Sequence, residues 1–408
     1  MSFPDGFLWG TATAAHQVEG GNVWNDGWVL EHVPGSPYAE PSGDACDHYH
    51  RYPEDIALIA GIGVQAYRFS VEWSRIEPEE GEFSVAQLDH YRRMLESCHE
   101  HGLTPMVTFH HFTSPRWIAA DGGWEELRTA ERFGRFCERT MRHLGDLVPF
   151  ACTLNEAGIG ALLHEVFGIP HPRGGDGWAA AAAALGTTPE RLAPFVNAGT
   201  PKAAEVMRDA HGLAVDAIKG VRSETQVGLT VAMSEWEAAP GGEETLARLR
   251  GLCEDAFLDG VAGDFIGVQN YSRLLIGPGG PVDEGDIERT EMGYAYRPEA
   301  LEHAIRRAVE VTGLPVYVTE NGIGTDDDAR RIDFVERALA GVEACLADGL
   351  DVRGYFYWSM FDNYEWTFGY RVRFGLVAVD RESQVRTLKP SAHRFGEIAR
   401  ANGLRNYI

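Results

Sequence analysis

Two glutamates each close a short apolar run. Glu156 follows Phe150-Ala151-Cys152-Thr153-Leu154-Asn155, and Glu320 follows Val316-Tyr317-Val318-Thr319. A lone glutamate at a strand end is commonly a solvated surface residue. Two that meet in one cleft are the pair that glycosidic bond cleavage requires: a protonated carboxyl donates to the leaving oxygen while an ionised one attacks the anomeric carbon. Those roles need pKa values pushed apart. Arg68 can hold one carboxylate ionised by charge pairing, and a tyrosine hydroxyl can donate to it. Tyr271, Trp358, Trp366 and Phe374 supply apolar ring faces that could stack on a pyranose or simply pack a core. His110-His111, and His48 with His50, admit a metal-ligand reading, but no acidic ligand set is spaced around either pair, so neither metal nor cofactor is expected.

Such a pair needs a scaffold that brings distant strand ends together. Eight apolar β-type runs recur: Phe7–Ala12, Val64–Val71, Leu103–Phe109, Val148–Leu154, Gln226–Met233, Asp264–Gln269, Pro315–Thr319 and Val352–Trp358. Segments of helical period lie between them: Tyr52–Ala60, Leu88–His101, Thr129–Leu144, Ala203–Lys219, Pro298–Thr312 and Ile332–Asp348. Nearly continuous apolar strands alternating with helices suit a parallel sheet covered on both faces. About eight such units predict an α/β fold, a single (β/α)8 TIM barrel spanning residues 1–408 as one catalytic domain. A doubly wound open sheet is the runner-up, and no glycine-rich dinucleotide turn follows the first strand to support it. In a barrel the strand ends converge at one mouth, which places Glu156 on the fourth strand opposite Glu320 on the seventh. Gly168–Gly177 and the Gly277–Gly280 region read as long loops over that mouth.

The chain has 408 residues, 44% of them hydrophobic, with 36 Lys plus Arg against 61 Asp plus Glu, a net charge of −25. So acidic a surface repels phosphate backbones and anionic lipid, which argues against nucleic-acid and membrane partners. No signal peptide is visible at Met1-Ser2-Phe3-Pro4-Asp5, and the six scattered cysteines fit reduced thiols, so a cytoplasmic location is expected.

Several segments carry a resemblance to glycoside hydrolase family 1, the β-glucosidase family of retaining glycosidases, over essentially the full length. Phe7-Leu8-Trp9-Gly10-Thr11-Ala12-Thr13 with Gln17-Val18-Glu19-Gly20 is similar to its opening signature, and Tyr67-Arg68-Phe69-Ser70-Val71-Glu72-Trp73-Ser74-Arg75-Ile76 to its second-strand motif. Thr153-Leu154-Asn155-Glu156 resembles the acid/base motif and Thr319-Glu320-Asn321-Gly322 the nucleophile motif. Trp358 through Trp366 and Gly369 through Gly375 resemble the last-strand sugar site. The resemblance implies Glu156 as acid/base, Glu320 as nucleophile, Arg68 and Tyr271 as hydrogen-bond partners of the nucleophile, and Asn155 at the sugar 2-hydroxyl. It also implies Gln17, His111, Glu365 and Trp366 at the outer hydroxyls, Trp358 as stacking floor and Phe374 in the sugar site. The implied partner is a small-molecule β-glycoside, and the implied reaction is retaining exo-hydrolysis of unphosphorylated β-glucosides, β-galactosides or β-fucosides.

The chain departs from the family pattern at two motifs and is somewhat shorter than is typical, notably between Gly322 and Arg330. Ala157-Gly158 replaces the usual Pro-Trp, which is expected to widen the leaving-group side unless a neighbour such as Trp24, Trp28 or Phe167 fills the space. Gln269-Asn270-Tyr271 replaces Asn-Tyr-Tyr; an ungapped register keeps Tyr271 in its slot, whereas a shifted one removes the tyrosine. Two other functions compete: a non-catalytic carbohydrate-binding barrel, disfavoured because both carboxylates are present, and a 6-phospho-β-glycosidase, disfavoured because Glu365 would repel the phosphate.

Overall fold

The structure is a computed structural model that describes residues 2–169 and 175–404. Each of the eight apolar runs forms a strand: β1 (Leu8–Ala12), β2 (Ala66–Ser70), β3 (Thr104–His110), β4 (Phe150–Leu154), β5 (Gln226–Ala232), β6 (Phe265–Gln269), β7 (Val316–Asn321) and β8 (Val352–Trp358). They close into a barrel in the order β1-β8-β7-β6-β5-β4-β3-β2. Every neighbouring pair is parallel. Closure removes both sheet edges and sets aside the open-sheet alternative.

Side chains alternate along the strands between two apolar clusters. On β2 Ala66 belongs to the lumen while Tyr67 and Phe69 face the helices; on β8 Phe356 belongs to the lumen while Tyr355 and Tyr357 face outward. The six expected helices are present as His48–Ile62, Val85–Glu100, Arg128–Leu144, Pro201–Val221, Ala300–Thr312 and Asp328–Ala347. Local chemistry sets several starts. Ser84, Thr200 and Asp327 accept first-turn backbone N–H groups, and Pro201 occupies a first-turn position where its missing N–H costs nothing.

The loops differ in part from the expectation. Gly277–Gly280 is not a long loop but the tight turn of a hairpin joining Arg273–Gly277 to Gly280–Pro281. Gly280, at φ 120°, takes a backbone conformation that only glycine adopts without strain. Together with Glu235–Ala238 this hairpin builds a three-stranded side sheet. Of Gly168–Gly177, residues 170–174 lie outside the described residues, and from Asp176 the chain is helical, as Asp176–Ala184.

Candidate active site

Arg68 stands at the centre of the mouth with no exposed surface. Its Nη1 donates to Glu320 Oε1 at 2.6 Å and to the Thr319 carbonyl at 3.3 Å, its Nη2 to Asn155 Oδ1 at 2.5 Å, and its Nε to Thr108 Oγ1 at 3.1 Å. One guanidinium therefore ties β2, β3, β4 and β7 into a fixed frame, as its rigid fork of donors allows. Tyr271 donates from its hydroxyl to the other oxygen of Glu320, Oε2, at 2.6 Å. That bond establishes the ungapped register after β6. Gln269 donates to Asn155 Oδ1 at 2.8 Å, and Asn270 turns away to the carbonyls of Met233 and Ser272.

Backbone irregularities aim both acids. Strict alternation from Tyr317 and Thr319 would send Glu320 outward toward the helices. The register of β7 against β6 slips between Val318 and Glu320, and the slip turns Glu320 into the mouth. Glu156 has a left-handed backbone, φ 51°, uncommon for a residue with a side chain, and its N–H is held by the Thr230 carbonyl of β5 at 3.0 Å. Gly322 is required two residues past Glu320, because a Cβ there would lie 1.9 Å from the Trp358 carbonyl oxygen.

Burial raises the pKa of both carboxyls, and their neighbours then separate them. Glu156 is pushed well above the usual carboxylate range by burial and by the charge of Glu320. At Glu320 burial also acts upward, but the Arg68 charge and the Tyr271 hydroxyl offset it. The proton shared by this site therefore belongs on Glu156 and the negative charge on Glu320. Burial and both acids push the Tyr271 hydroxyl well above 10, so it stays a donor.

The remaining expected residues line the same mouth. Gln17 donates to the Tyr364 carbonyl at 2.8 Å, to Asn363 Oδ1 at 3.3 Å and to Glu365 Oε2 at 3.4 Å. Trp358 stacks on His111 with ring centres 5.6 Å apart, and Trp366 stacks on His16 at 5.6 Å. Phe374 packs edge-on against Tyr271 at 5.9 Å, bracing the ring that holds Glu320. Burial keeps His111 neutral, reinforced by the Arg68 charge. Gln17 Oε1, His111 Nδ1, Asn155 Nδ2 and Gln269 Oε1 are buried without hydrogen-bond partners. Orphaned polar atoms gathered in one mouth are suited to the hydroxyls of a polyol. His110, by contrast, leaves the mouth: it packs against Trp124 at 4.8 Å and meets Ser114 Oγ at 2.9 Å.

Two expectations need correction. Glycine at 158 does not open the leaving-group side: a Cβ there would stand 1.9 Å from the Cys253 carbonyl oxygen, so a backbone turn already fills the space. The filler is none of the aromatic neighbours considered; Trp24 and Phe167 are 50% and 40% exposed, and Trp28 stacks on His32. Glu365 is also not simply a negative charge. Burial and the Glu320 charge push it up to about 8, so it is mostly protonated at neutral pH. Tyr294, which no motif marked, lies beside Tyr271 and stacks on Phe167 with centres 6.0 Å apart. Its hydroxyl is raised by burial and by the charges of Glu156 and Glu365. Neither apolar period nor short-range spacing signals a residue in so irregular a loop.

Paired acids at the C-terminal mouth of a closed parallel barrel identify the class, a glycoside hydrolase. Comparison with known proteins extends this to the family. The profile of Glycosyl hydrolase family 1 matches residues 1–274 and 278–404. A solved structure, β-glycosidase BGL167, superposes with a TM-score of 0.95 at 53% identity, covering 100% of this chain and 99% of its own. Thermostable β-glucosidase B of Thermobispora bispora is 34% identical over 100% of this chain and 92% of its own length. A bifunctional β-D-glucosidase/β-D-fucosidase of Bifidobacterium breve is 31% identical over 96% of each. The chain belongs to Glycosyl hydrolase family 1.

Proposed function

We propose that the protein is a retaining exo-β-glycosidase acting on unphosphorylated β-glucosides, with β-fucosides or β-galactosides as further substrates and residues 1–408 working as one catalytic unit. The observation that carries this reading is the unequal treatment of the two buried acids. Glu320, bonded at both oxygens by Arg68 and Tyr271, is the nucleophile; Glu156, driven up by burial and by Glu320, is the acid and then the base. The orphaned atoms of Gln17, His111, Asn155 and Gln269 bind the sugar hydroxyls over Trp358, with Glu365 and Trp366 at the outer ones. The relatives named for β-glucosidase and β-fucosidase activity support the sugar class. Against a 6-phosphate stands the side-chain partner of Glu365 among the described residues: it is the Gln17 amide, a neutral group that offers a phosphate no countercharge. Six buried cysteines, all unpaired, suit a reducing compartment such as the cytoplasm.

A panel of nitrophenyl β-glycosides, with NMR of the first-formed sugar, tests the reading. The β anomer is expected from carboxyls about 5–5.5 Å apart. An initial α anomer rejects double displacement, and preference for the 6-phosphoglucoside rejects the sugar-site assignment. Glu156→Ala should slow phenyl β-glucoside far more than dinitrophenyl β-glucoside, because only the poorer leaving group needs the proton. Equal losses on the two would remove Glu156 from the acid role.

A further inference from the structure

Behind the Glu156 turn lies a buried acid that this chemistry does not use. Between β5 and β6 the helix Glu243–Arg250 widens into a π-helical turn, Gly251–Asp255. Glu254 in that turn is 1% exposed. Its Oε1 accepts from the Ser234 N–H at 2.8 Å and from the Trp236 indole N–H at 2.5 Å, just past the end of β5. Its Oε2 is buried without a partner. From the same turn, the Cys253 carbonyl abuts Gly158 so closely that a Cβ at 158 would stand 1.9 Å from the oxygen. Gly158 is two residues beyond Glu156, whose own N–H is held by Thr230 of β5 at 3.0 Å. The left-handed backbone of Glu156 is thus gripped from β5 on one side and from the 251–255 turn on the other.

We propose that Glu254 is a positioning residue for Glu156: it fastens the 251–255 turn to the 234–236 segment, and the Cys253 carbonyl then fixes the backbone from which Glu156 reaches the leaving oxygen. The inference rests on the reading of Glu156 as the acid. An apolar residue would fit the buried surroundings at lower cost than a carboxyl with one empty oxygen, but it could not receive the Ser234 and Trp236 donors. Burial pushes Glu254 up to about 8, against the lowering effect of the Ser234 and Trp236 donors. At neutral pH the group is therefore mostly a neutral acceptor, and a glutamine amide can reproduce that role.

The test compares kcat/KM on phenyl and dinitrophenyl β-glucosides for Glu254→Ala, Glu254→Gln and Gly158→Ala, with Glu156→Ala as reference. Glu254→Ala should lose about 10–100-fold on the phenyl substrate and stay within about threefold on the dinitrophenyl one, the pattern of a misplaced acid. Glu254→Gln keeps the accepting oxygen and should restore the phenyl rate. Gly158→Ala, with Glu254 intact, must displace the same backbone and should show the same split; it decides the matter if Glu254→Ala does not fold. Equal losses on both substrates, or a lowered Tm with unchanged kinetics, would overturn the proposal. If Glu156→Ala itself shows no split, the acid assignment fails and takes the inference with it. A split at Glu156→Ala but not at Glu254→Ala or Gly158→Ala sinks the inference alone.

Discussion

Toward the start of their strands Phe150, Phe265 and Tyr317 fill the barrel lumen, packing with Phe356, Met106 and Cys152. A few residues further along the same strands stand Arg68, Asn155, Gln269 and Glu320, bonded to one another. Both ends are buried, yet they are held by different forces. The lower end is secured by apolar area and ring contacts, such as Phe265 to Tyr317 at 5.0 Å and Phe150 to Tyr317 at 5.5 Å. The mouth takes charge and amide groups out of water and recovers the cost through charge-assisted hydrogen bonds, while leaving several polar atoms unpaired. The contrast teaches that stability and reactivity are segregated along the strand axis. The lower plug lets the mouth keep groups that a stability-optimised core would exclude.

Mutations at the two ends should therefore separate activity from stability. Glu320→Ala should lower kcat by about 10⁴-fold or more, as loss of a nucleophile does. Added azide should then yield an α-configured glycosyl azide, and an undiminished kcat in the variant would remove Glu320 from the mechanism. Phe265→Ala, at the other end, should cost about 3–5 kcal/mol of stability through cavity formation while kcat measured well below Tm stays close to wild type. A large kcat loss with little change in the urea midpoint would break the segregation. Between these extremes, Tyr271→Phe deletes one hydrogen bond to the Glu320 carboxylate and should lower kcat by about 1.5–3 kcal/mol of transition-state stabilisation, with Tm little affected.

The smallest effect concerns pH. Asp26 is pushed up to about 7 and Glu254 and Glu365 to about 8, in each case chiefly by burial. The folded chain thus binds protons that the unfolded chain releases near the ordinary carboxyl values of 3.8 and 4.5. The stability this confers is fully present at low pH and is lost as pH rises through the folded values. Below about 6.5 the buried His90 and His110, lowered to about 4 and 3, act in the opposite sense, since the unfolded state gains their protons. Between pH 6.5 and 8 the carboxyls act without that opposition, so Tm should fall across this window. Glu365→Gln should flatten the decline, and an unchanged slope in that variant would show that Glu365 does not titrate there.

The barrel, its eight strands and the two glutamates that meet at its mouth are legible in the residue pattern. Apolar runs with helical segments between them leave few closed arrangements, and a Glu placed after such a run is a local feature. How those residues are aimed depends on packing between distant segments. The slipped register at Val318–Glu320 and the left-handed backbone of Glu156 reverse or redirect side chains that strict alternation would place elsewhere. The same holds for Gly158. In the sequence it marks a missing aromatic wall, but in the fold it is the only residue type that lets the Cys253 carbonyl, 95 positions away in the chain, come within contact of the backbone two residues beyond Glu156. Packing between segments so distant leaves no periodic trace in either one, because each is patterned for its own strand or helix and only their meeting sets the distance.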